Sequence, residues 1–154
     1  LIKDMFGEID LDPCSNESSM VDAKTKYILP INGLESSWNF KRIFVNPPYG
    51  RSLDGTRIYN WIEKGVESSK LGNELIYLIP VATNTKHFKN LIFKSAKGIC
   101  FLDDTRLKFW NNGNEEKQGA PMACCLIYFG NSYNKFSNIF SNSGKCFEII
   151  IEKL

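Results

Sequence analysis

The feature of this sequence that most constrains its fold is a short apolar run that ends in two consecutive prolines. Ile43, Phe44 and Val45 are followed directly by the tetrapeptide Asn46-Pro47-Pro48-Tyr49. A run this bulky, with no polar interruption, predicts a strand buried on both faces of a largely parallel sheet. Prolines lack an N–H group and have a fixed φ, so the chain must leave the sheet in one stiff, extended conformation. The tetrapeptide is therefore expected at the carboxyl edge, where open α/β sheets bind their ligands.

The tetrapeptide carries groups that suit a planar ring with an exocyclic amine. Asn46 supplies a side-chain carbonyl, Pro47 a backbone carbonyl, and Tyr49 an aromatic face. If carbonyl oxygens hold both hydrogens of an amine such as adenine N6, the nitrogen can become pyramidal and direct its lone pair at an electrophilic methyl group. This acceleration comes from orientation and electrostatics, so it needs no ionised base at residue 46.

An acidic stretch near the start of the chain predicts a second binding site. Residues 8–12 alternate polar and apolar side chains and stop at a proline, which is typical of a strand followed by a tight loop. A carboxylate at the end of such a strand accepts hydrogen bonds from ribose hydroxyls or an ammonium group. Asp12 is therefore the first candidate for binding a cofactor, and Asp10 is the second. The small residues Cys14 and Ser15 allow close backbone approach, although no GxGxxG loop is present.

These patterns resemble the S-adenosylmethionine-dependent amino-methyltransferases, and more closely the phage-type, Dam-like DNA N6-adenine methyltransferases. The resemblance covers most of residues 6–130 and rests on Asp10-Leu11-Asp12-Pro13-Cys14-Ser15-Asn16, on Asn32-Gly33-Leu34 with Trp38, on Val45-Asn46-Pro47-Pro48-Tyr49-Gly50-Arg51, and on Arg106-Leu107-Lys108-Phe109 followed by the apolar run around Cys124. It implies an α/β, Rossmann-like S-adenosylmethionine methyltransferase fold, with a mainly parallel sheet and an antiparallel edge. Residues 17–42 are too few for the usual strands, so we expect an abbreviated first half.

By this resemblance the chain is an enzyme that transfers a methyl group from S-adenosyl-L-methionine to adenine N6 of DNA. The expected catalytic residues are Asn46, Pro47, Pro48 and Tyr49, and the expected cofactor-binding residues are Asp10, Asp12, Pro13, Cys14 and Ser15. A stacked base cannot reach the tetrapeptide, so the adenine must be flipped out or single-stranded. The resemblance also implies a cytoplasmic location in a bacterial or phage-infected cell, with no metal and no membrane partner. It sets no oligomeric state.

Two loops are candidates for contact with DNA. The expected substrate-binding residues are Arg51, Arg106, Lys108 and Phe109. Arg51 lies two residues after the tetrapeptide, and the other three lie in a connection of about twenty residues, a length usually associated with function or disorder. Basic side chains suit phosphate contacts and an aromatic ring suits stacking on a base. The alternative is that this ring and Trp110 only pack the loop onto the core.

The rest of the chain is predicted to alternate helices and strands. Helices are expected at 57–70 and 84–96, strands at 75–79, 99–102 and 122–129, a last edge strand at 147–151, a helix end at 1–5 and a loop at 131–144. Trp38 is expected to anchor its segment onto the core. His87 is expected to be a solvated helix residue, because no catalytic partner accompanies it.

Length and composition narrow the class of protein. A chain of 154 residues predicts a single domain, residues 1–154, and the start at Leu1 is consistent with an N-terminally trimmed piece of a longer chain. A net charge of +2 means that a DNA-binding surface must be a local patch or come from a partner. Five cysteines without CxxC spacing indicate reduced thiols rather than zinc or disulfides. No apolar run is long enough to span a bilayer, and no signal peptide is recognised.

Two other functions stay open at this point. Enzymes that methylate RNA bases or a glutamine side chain also carry Asn-Pro-Pro-Tyr, because those substrates too present a planar amino group. A non-catalytic, nucleic-acid-binding relic of the fold is favoured by the missing glycine-rich loop and the short first half. Binding of S-adenosylmethionine would count against such a relic.

Overall fold

A computed structural model of the chain describes residues 1–103, 110–111, 114–115 and 122–151. Its strands are β1 (Ile9–Asp12), β2 (Ala23–Lys26), β3 (Arg42–Val45), β4 (Glu74–Pro80), β5 (Gly98–Leu102), β6 (Trp110–Asn111), β7 (Asn114–Glu115), β8 (Cys124–Phe129) and β9 (Gly144–Glu148). Its helices are α1 (Ile2–Phe6), α2 (Ile58–Lys70), α3 (Phe93–Ser95) and α4 (Tyr133–Phe140), with a π-helical segment (Phe88–Ile92) directly before α3. The strands predicted around the tetrapeptide and the acidic stretch are confirmed.

Seven of the strands form one mixed sheet in the order β2-β1-β3-β4-β8-β5-β9. The strands β2, β1, β3 and β4 run parallel to one another. β8 is antiparallel to both β4 and β5, and β9 is antiparallel to β5. The prediction of a mixed sheet is confirmed, but the antiparallel part is larger than the expected edge, because β8 inserts between β4 and β5. The edge strand expected at 147–151 begins three residues earlier, at Gly144. β6 and β7 pair separately.

Helices cover both faces of the sheet. On one face, α2 and the π-helical segment bury a cluster that contains Ile43, Val45 and Trp61. On the other face, Phe44 packs in a second cluster with residues of α1 and α4, including Phe136. Successive residues of β3 therefore point into different cores, as expected for a strand that is buried on both sides.

α2 begins shortly after the tetrapeptide and covers the sheet beside it. Trp61, Ile62 and Val66 are buried on one side of this helix, as the helical spacing predicts. The helix ends at Lys70, and Gly72 follows with a φ of 87°. Glycine adopts this left-handed conformation without strain, so it ends the helix where the sequence predicted.

The prediction of a loop over residues 131–144 is wrong, because Tyr133–Phe140 forms α4. Its Asn and Ser residues are weak helix formers, but Phe136 and Phe140 lie four residues apart on one face and are fully buried. Phe136 stacks on Tyr128 of β8, with the ring centroids 5.1 Å apart. Burial of this aromatic face outweighs the low intrinsic helix propensity.

Candidate active site

The ends of β1 and β3 form the centre of the site. These strands are parallel neighbours, with Leu11 paired to Ile43, so both end at the same edge of the sheet. The turn after β1 consists of residues 13–15, and it lies beside the tetrapeptide that follows β3. The fold thus joins the two most specific sequence motifs, which are about thirty residues apart in the chain.

A cavity of about 980 Å³ opens between the 13–15 turn and the tetrapeptide. Its lining comprises residues 13–15, 27, 29–34, 46–49, 52–54, 56 and 61. Three apolar side chains of this lining, Leu29, Ile31 and Leu53, are at least half exposed. A largely apolar cavity of this size with a few polar groups is the usual form of a cofactor or substrate site.

The tetrapeptide places its tyrosine hydroxyl against its asparagine. The Tyr49 hydroxyl lies 3.1 Å from Asn46 Oδ1 and 3.2 Å from the carbonyl oxygen of Leu78, so it can donate to either acceptor. Burial raises the pKa of Tyr49, so the hydroxyl stays protonated at neutral pH. Pro47 is buried and Pro48 is exposed. The asparagine carbonyl predicted to hold an amine is therefore oriented by the tyrosine predicted to stack on the ring.

Asp12 is buried and holds the 13–15 turn. Asp12 is only 3 % exposed. Its carboxylate accepts hydrogen bonds from the Cys14 N–H at 3.3 Å and from the Ser19 hydroxyl at 3.4 Å. Burial raises the pKa of this carboxyl, and the long hydrogen bonds offset that effect only in part. The described wall of the cavity contains the turn and not Asp12 itself. Asp12 therefore acts on the cavity through Cys14.

Asp10 pairs with Arg42 and is not brought to the cavity. Arg42 Nε donates to Asp10 Oδ2 at 2.8 Å, and Arg42 Nη2 donates to Oδ1 at 2.9 Å. The Arg42 backbone N–H donates to the same carboxylate at 3.1 Å. Hydrogen bonding from the guanidinium lowers the pKa of Asp10. This aspartate ties β1 to the start of β3, whereas the sequence had grouped it with Asp12.

Cys14 connects the turn to the tetrapeptide. Burial raises the pKa of the Cys14 thiol strongly, the nearby Asp12 carboxylate raises it further, and a hydrogen bond from the Asn46 N–H offsets part of the shift. The thiol is therefore protonated at neutral pH and is a poor nucleophile. This environment favours a packing role for Cys14 and not the role of a covalent nucleophile.

Residues 29–34 form a wall of the cavity to which the sequence analysis assigned no role. Gly33 approaches the 13–15 turn so closely that a Cβ atom would lie 2.0 Å from the carbonyl oxygen of Pro13. Trp38 fixes this wall, because its Nε1 donates to the carbonyl oxygen of Gly33 at 2.8 Å. Trp38 is 4 % exposed, so its predicted role as an anchor is confirmed. The sequence feature that could have indicated this wall is the Asn32-Gly33-Leu34 block, because only glycine fits at residue 33 against the 13–15 turn.

Two polar atoms of residues that line the first cavity are buried without a hydrogen bond to any described residue. They are Ser15 Oγ and Trp61 Nε1. Ser15 is close enough to Asp12 to lower the pKa of that carboxyl, but the geometry is not that of a hydrogen bond. An unpaired buried polar atom destabilises the folded chain by about 1–3 kcal/mol. The lining of the first cavity therefore favours a ligand that carries polar groups.

A second cavity, of about 890 Å³, adjoins the first at Tyr49, which lines both. Its lining comprises residues 49–51, 57–60, 84–87 and 90, and it is named the basic groove here. Three cationic side chains, Arg51, Arg57 and Lys86, line it and are exposed. Arg51, predicted to bind substrate, thus lies in the basic groove and outside the described lining of the first cavity.

The prediction that His87 is solvated is wrong. This residue is only 8 % exposed, and its Nε2 lies 3.1 Å from Thr85 Oγ1. Its ring packs against Phe88, with centroids 5.4 Å apart. Burial lowers the pKa of His87, so it adds no charge to the basic groove at neutral pH.

Three of the predicted DNA contacts, Arg106, Lys108 and Phe109, lie outside the described residues. Within the described ranges, no group of three or more His, Cys, Asp or Glu residues is arranged to hold a metal ion. No helix in those same ranges combines the length and apolarity needed to cross a membrane. All five cysteines carry free thiols, as predicted.

A comparison with protein families finds one match that spans nearly all of the chain. Residues 1–147 match the family model described as DNA N-6-adenine-methyltransferase (Dam). No curated protein and no solved structure matches the chain. The matched range contains the 13–15 turn, the 29–34 wall and the tetrapeptide, which together line the first cavity.

Proposed function

The chain belongs to the DNA N-6-adenine-methyltransferase (Dam) family, and on this premise we propose that its first cavity holds S-adenosylmethionine beside the target adenine. Membership in the family makes the chain an enzyme that methylates adenine N6 of DNA. It decides against the RNA, glutamine and non-catalytic alternatives. The observation that carries the proposal is that the 13–15 turn and the tetrapeptide line one cavity.

The 13–15 turn is proposed to hold S-adenosylmethionine, which supplies an electrophilic methyl group when bound. The cofactor combines an adenine ring and aliphatic chain with ribose hydroxyls, an ammonium and a carboxylate. The lining of the first cavity has matching character, since it combines apolar side chains with two buried polar atoms, Ser15 Oγ and Trp61 Nε1, that have no hydrogen-bond partner among the described residues. Asp12 contributes through the turn that it holds, and its buried carboxylate is a nearby negative charge for an ammonium. A cavity at the carboxyl ends of the parallel strands β1 and β3 supports a Rossmann-like assignment.

The tetrapeptide is proposed to hold the target adenine. Asn46 Oδ1 and the Pro47 carbonyl accept the two N6 hydrogens, and the Tyr49 ring stacks on the base. When the amine takes Asn46 Oδ1, the Tyr49 hydroxyl keeps an acceptor in the carbonyl oxygen of Leu78, which lies 3.2 Å away. Binding of the base therefore leaves no buried hydroxyl unpaired. After transfer, the cationic N6 loses its proton to solvent.

Methyl transfer to unmodified DNA, followed by nucleoside analysis, tests the proposal. We expect N6-methyladenine from the unaltered chain. Asn46→Ala should lower turnover by about 100-fold or more while S-adenosylmethionine affinity changes by no more than about 2-fold, because only orientation in the transition state is lost. Calorimetric titration with the cofactor provides the second readout.

Tyr49→Phe is the matched control for Tyr49→Ala. Stacking on a base contributes about 1–3 kcal/mol, so Tyr49→Ala should lower kcat/KM by roughly 10- to 100-fold, and Tyr49→Phe should lose much less. Loss of cofactor binding in Asn46→Ala with turnover intact would contradict the role of Asn46. Equal losses in both Tyr49 variants would contradict stacking.

A further inference from the structure

We propose that the basic groove binds the sugar-phosphate backbone of the DNA strand that carries the target adenine. This inference rests on the proposed function, because it takes Tyr49 as the point where the base meets the enzyme. Tyr49 lines both the first cavity and the groove. A strand in the groove is therefore placed next to the residue on which its base would stack.

The charge of the groove is one-sided. Arg51, Arg57 and Lys86 line it, and no carboxylate is found in its lining as far as the structure describes the chain. Both cavities are comparable in volume, yet Asp54 is part of the lining of the first. A groove whose described lining holds three cations and no carboxylate attracts a polyanion, and DNA carries one negative charge per phosphate.

The cations of the groove also form no ion pair with the residues that the structure describes. Among the described residues, none of the three forms a salt bridge, whereas cations elsewhere such as Lys24 and Arg42 are paired with carboxylates. Binding of phosphate therefore breaks no existing pair. Amide side chains complete the lining, since Asn84 and Asn90 can donate to phosphate or sugar oxygens.

The small net charge of the molecule means that DNA must be attracted by a local patch such as this groove or by a partner. At +2, the whole chain exerts little long-range attraction on DNA. The groove concentrates positive charge on one side of Tyr49, where the strand must lie for its base to be extruded.

The test compares two double variants with the same change in net charge. Arg57→Gln with Lys86→Gln removes two of the three positive charges of the groove. Lys41→Gln with Lys70→Gln is the control, because both lysines are exposed and lie at the amino ends of β3 and β4, away from the tetrapeptide. Binding of fluorescent single-stranded and duplex oligonucleotides is measured across a salt series, with urea unfolding as the check that each variant is folded.

We expect the groove variant to lose about 10- to 100-fold in affinity at low salt. Its slope of log affinity against log salt should fall by roughly 1.4–1.8, which corresponds to two phosphate contacts. The control should bind like the unaltered chain, and cofactor affinity should stay the same in both. A groove variant with unchanged affinity and slope on both oligonucleotides would overturn the inference.

The two proposals fail in different ways. If the unaltered chain makes N6-methyladenine while the groove variant binds DNA normally, only the groove assignment is wrong. If the groove variant loses DNA affinity while the unaltered chain binds no S-adenosylmethionine, the cofactor cavity is wrong and the groove stands.

Discussion

Asp10 and Asp12 are two residues apart on β1, yet their environments shift their pKa values in opposite directions. Hydrogen bonding from Arg42 lowers the pKa of Asp10 below its ordinary 3.8, so its stabilising effect is complete at pH values above that figure. Burial raises the pKa of Asp12 above 3.8. The folded chain then binds the Asp12 proton more tightly than the unfolded chain, so stability falls as pH rises toward the folded pKa.

Substitution of each aspartate by asparagine should therefore have opposite effects at pH 7. Asp10→Asn should lower the free energy of unfolding by about 1–2 kcal/mol, because a two-pronged charged hydrogen bond is lost. Asp12→Asn should raise it by about 1 kcal/mol, because a buried charge that forms no salt bridge with a described residue is removed. Urea unfolding at pH 7 and pH 4 measures both.

The pH trend separates the two residues. The gain in Asp12→Asn should shrink as the pH is lowered from 7 to 4, since the raised pKa of Asp12 lets the folded chain take up that proton more readily than the unfolded chain. The loss in Asp10→Asn should be nearly constant over the same range. Parallel losses in both variants would contradict the assigned environments.

These two residues also show where prediction from the sequence ends. Acidic side chains at the end of β1 could be recognised, because a strand and a proline stop surround them. Their separate roles could not, because the partner of Asp10 is Arg42, thirty-two residues further along the chain. Only the parallel pairing of β1 with β3 brings that guanidinium to Asp10 and leaves Asp12 for the turn.

At the scale of elements, the approach of the 29–34 wall to the 13–15 turn determines the shape of the first cavity. Gly33→Ala would place a Cβ atom 2.0 Å from the Pro13 carbonyl oxygen, so one of the two segments must move. We expect a loss of about 1–3 kcal/mol in unfolding free energy and weaker S-adenosylmethionine binding. Urea midpoints and calorimetric titration measure the two effects.

Gly50→Ala is the control, because a Cβ atom there would meet nothing within 4 Å. This variant should change the unfolding free energy by no more than about 0.5 kcal/mol. If Gly33→Ala behaved like Gly50→Ala in stability and cofactor affinity, the close packing of the wall against the turn would have no bearing on the cavity.

The elements differ in how far the sequence could predict them. β3 and β4 were predictable, because each is an unbroken apolar run. α4 was not predictable, because its Asn and Ser residues suggest a loop. The helix is stabilised by burial of Phe136 and Phe140 in the cluster that contains Tyr128. Tertiary burial decided the outcome there, and it cannot be read from a local window.

At the scale of the whole molecule, the reactivity of the cysteine thiols measures how well the two hydrophobic cores exclude solvent. Burial raises the pKa of four cysteines, and that of Cys125 reaches about 12. Cys146 is half-buried on the edge strand β9. In the native chain at pH 8, an alkylating reagent should therefore modify Cys146 before the buried Cys100, Cys124 and Cys125, which should react only on unfolding.

Peptide mass spectrometry over a time course measures this order. The unfolding temperature should be the same with and without reductant, because the five thiols are free. Modification of Cys125 as fast as Cys146 would mean that the sheet opens far more readily than its burial indicates.

The position of β8 could not be predicted from the sequence, and it has a consequence for the order of synthesis. β4 pairs with β8, which the ribosome synthesises about forty residues later. At a synthesis rate of roughly 5–20 residues per second, the apolar edge of β4 stays unpaired for about 2–8 s. β5 emerges during that wait but pairs with β8 as well, so it cannot shield β4. Slow translation across this interval would lengthen the time in which neighbouring nascent chains can pair through the open edge.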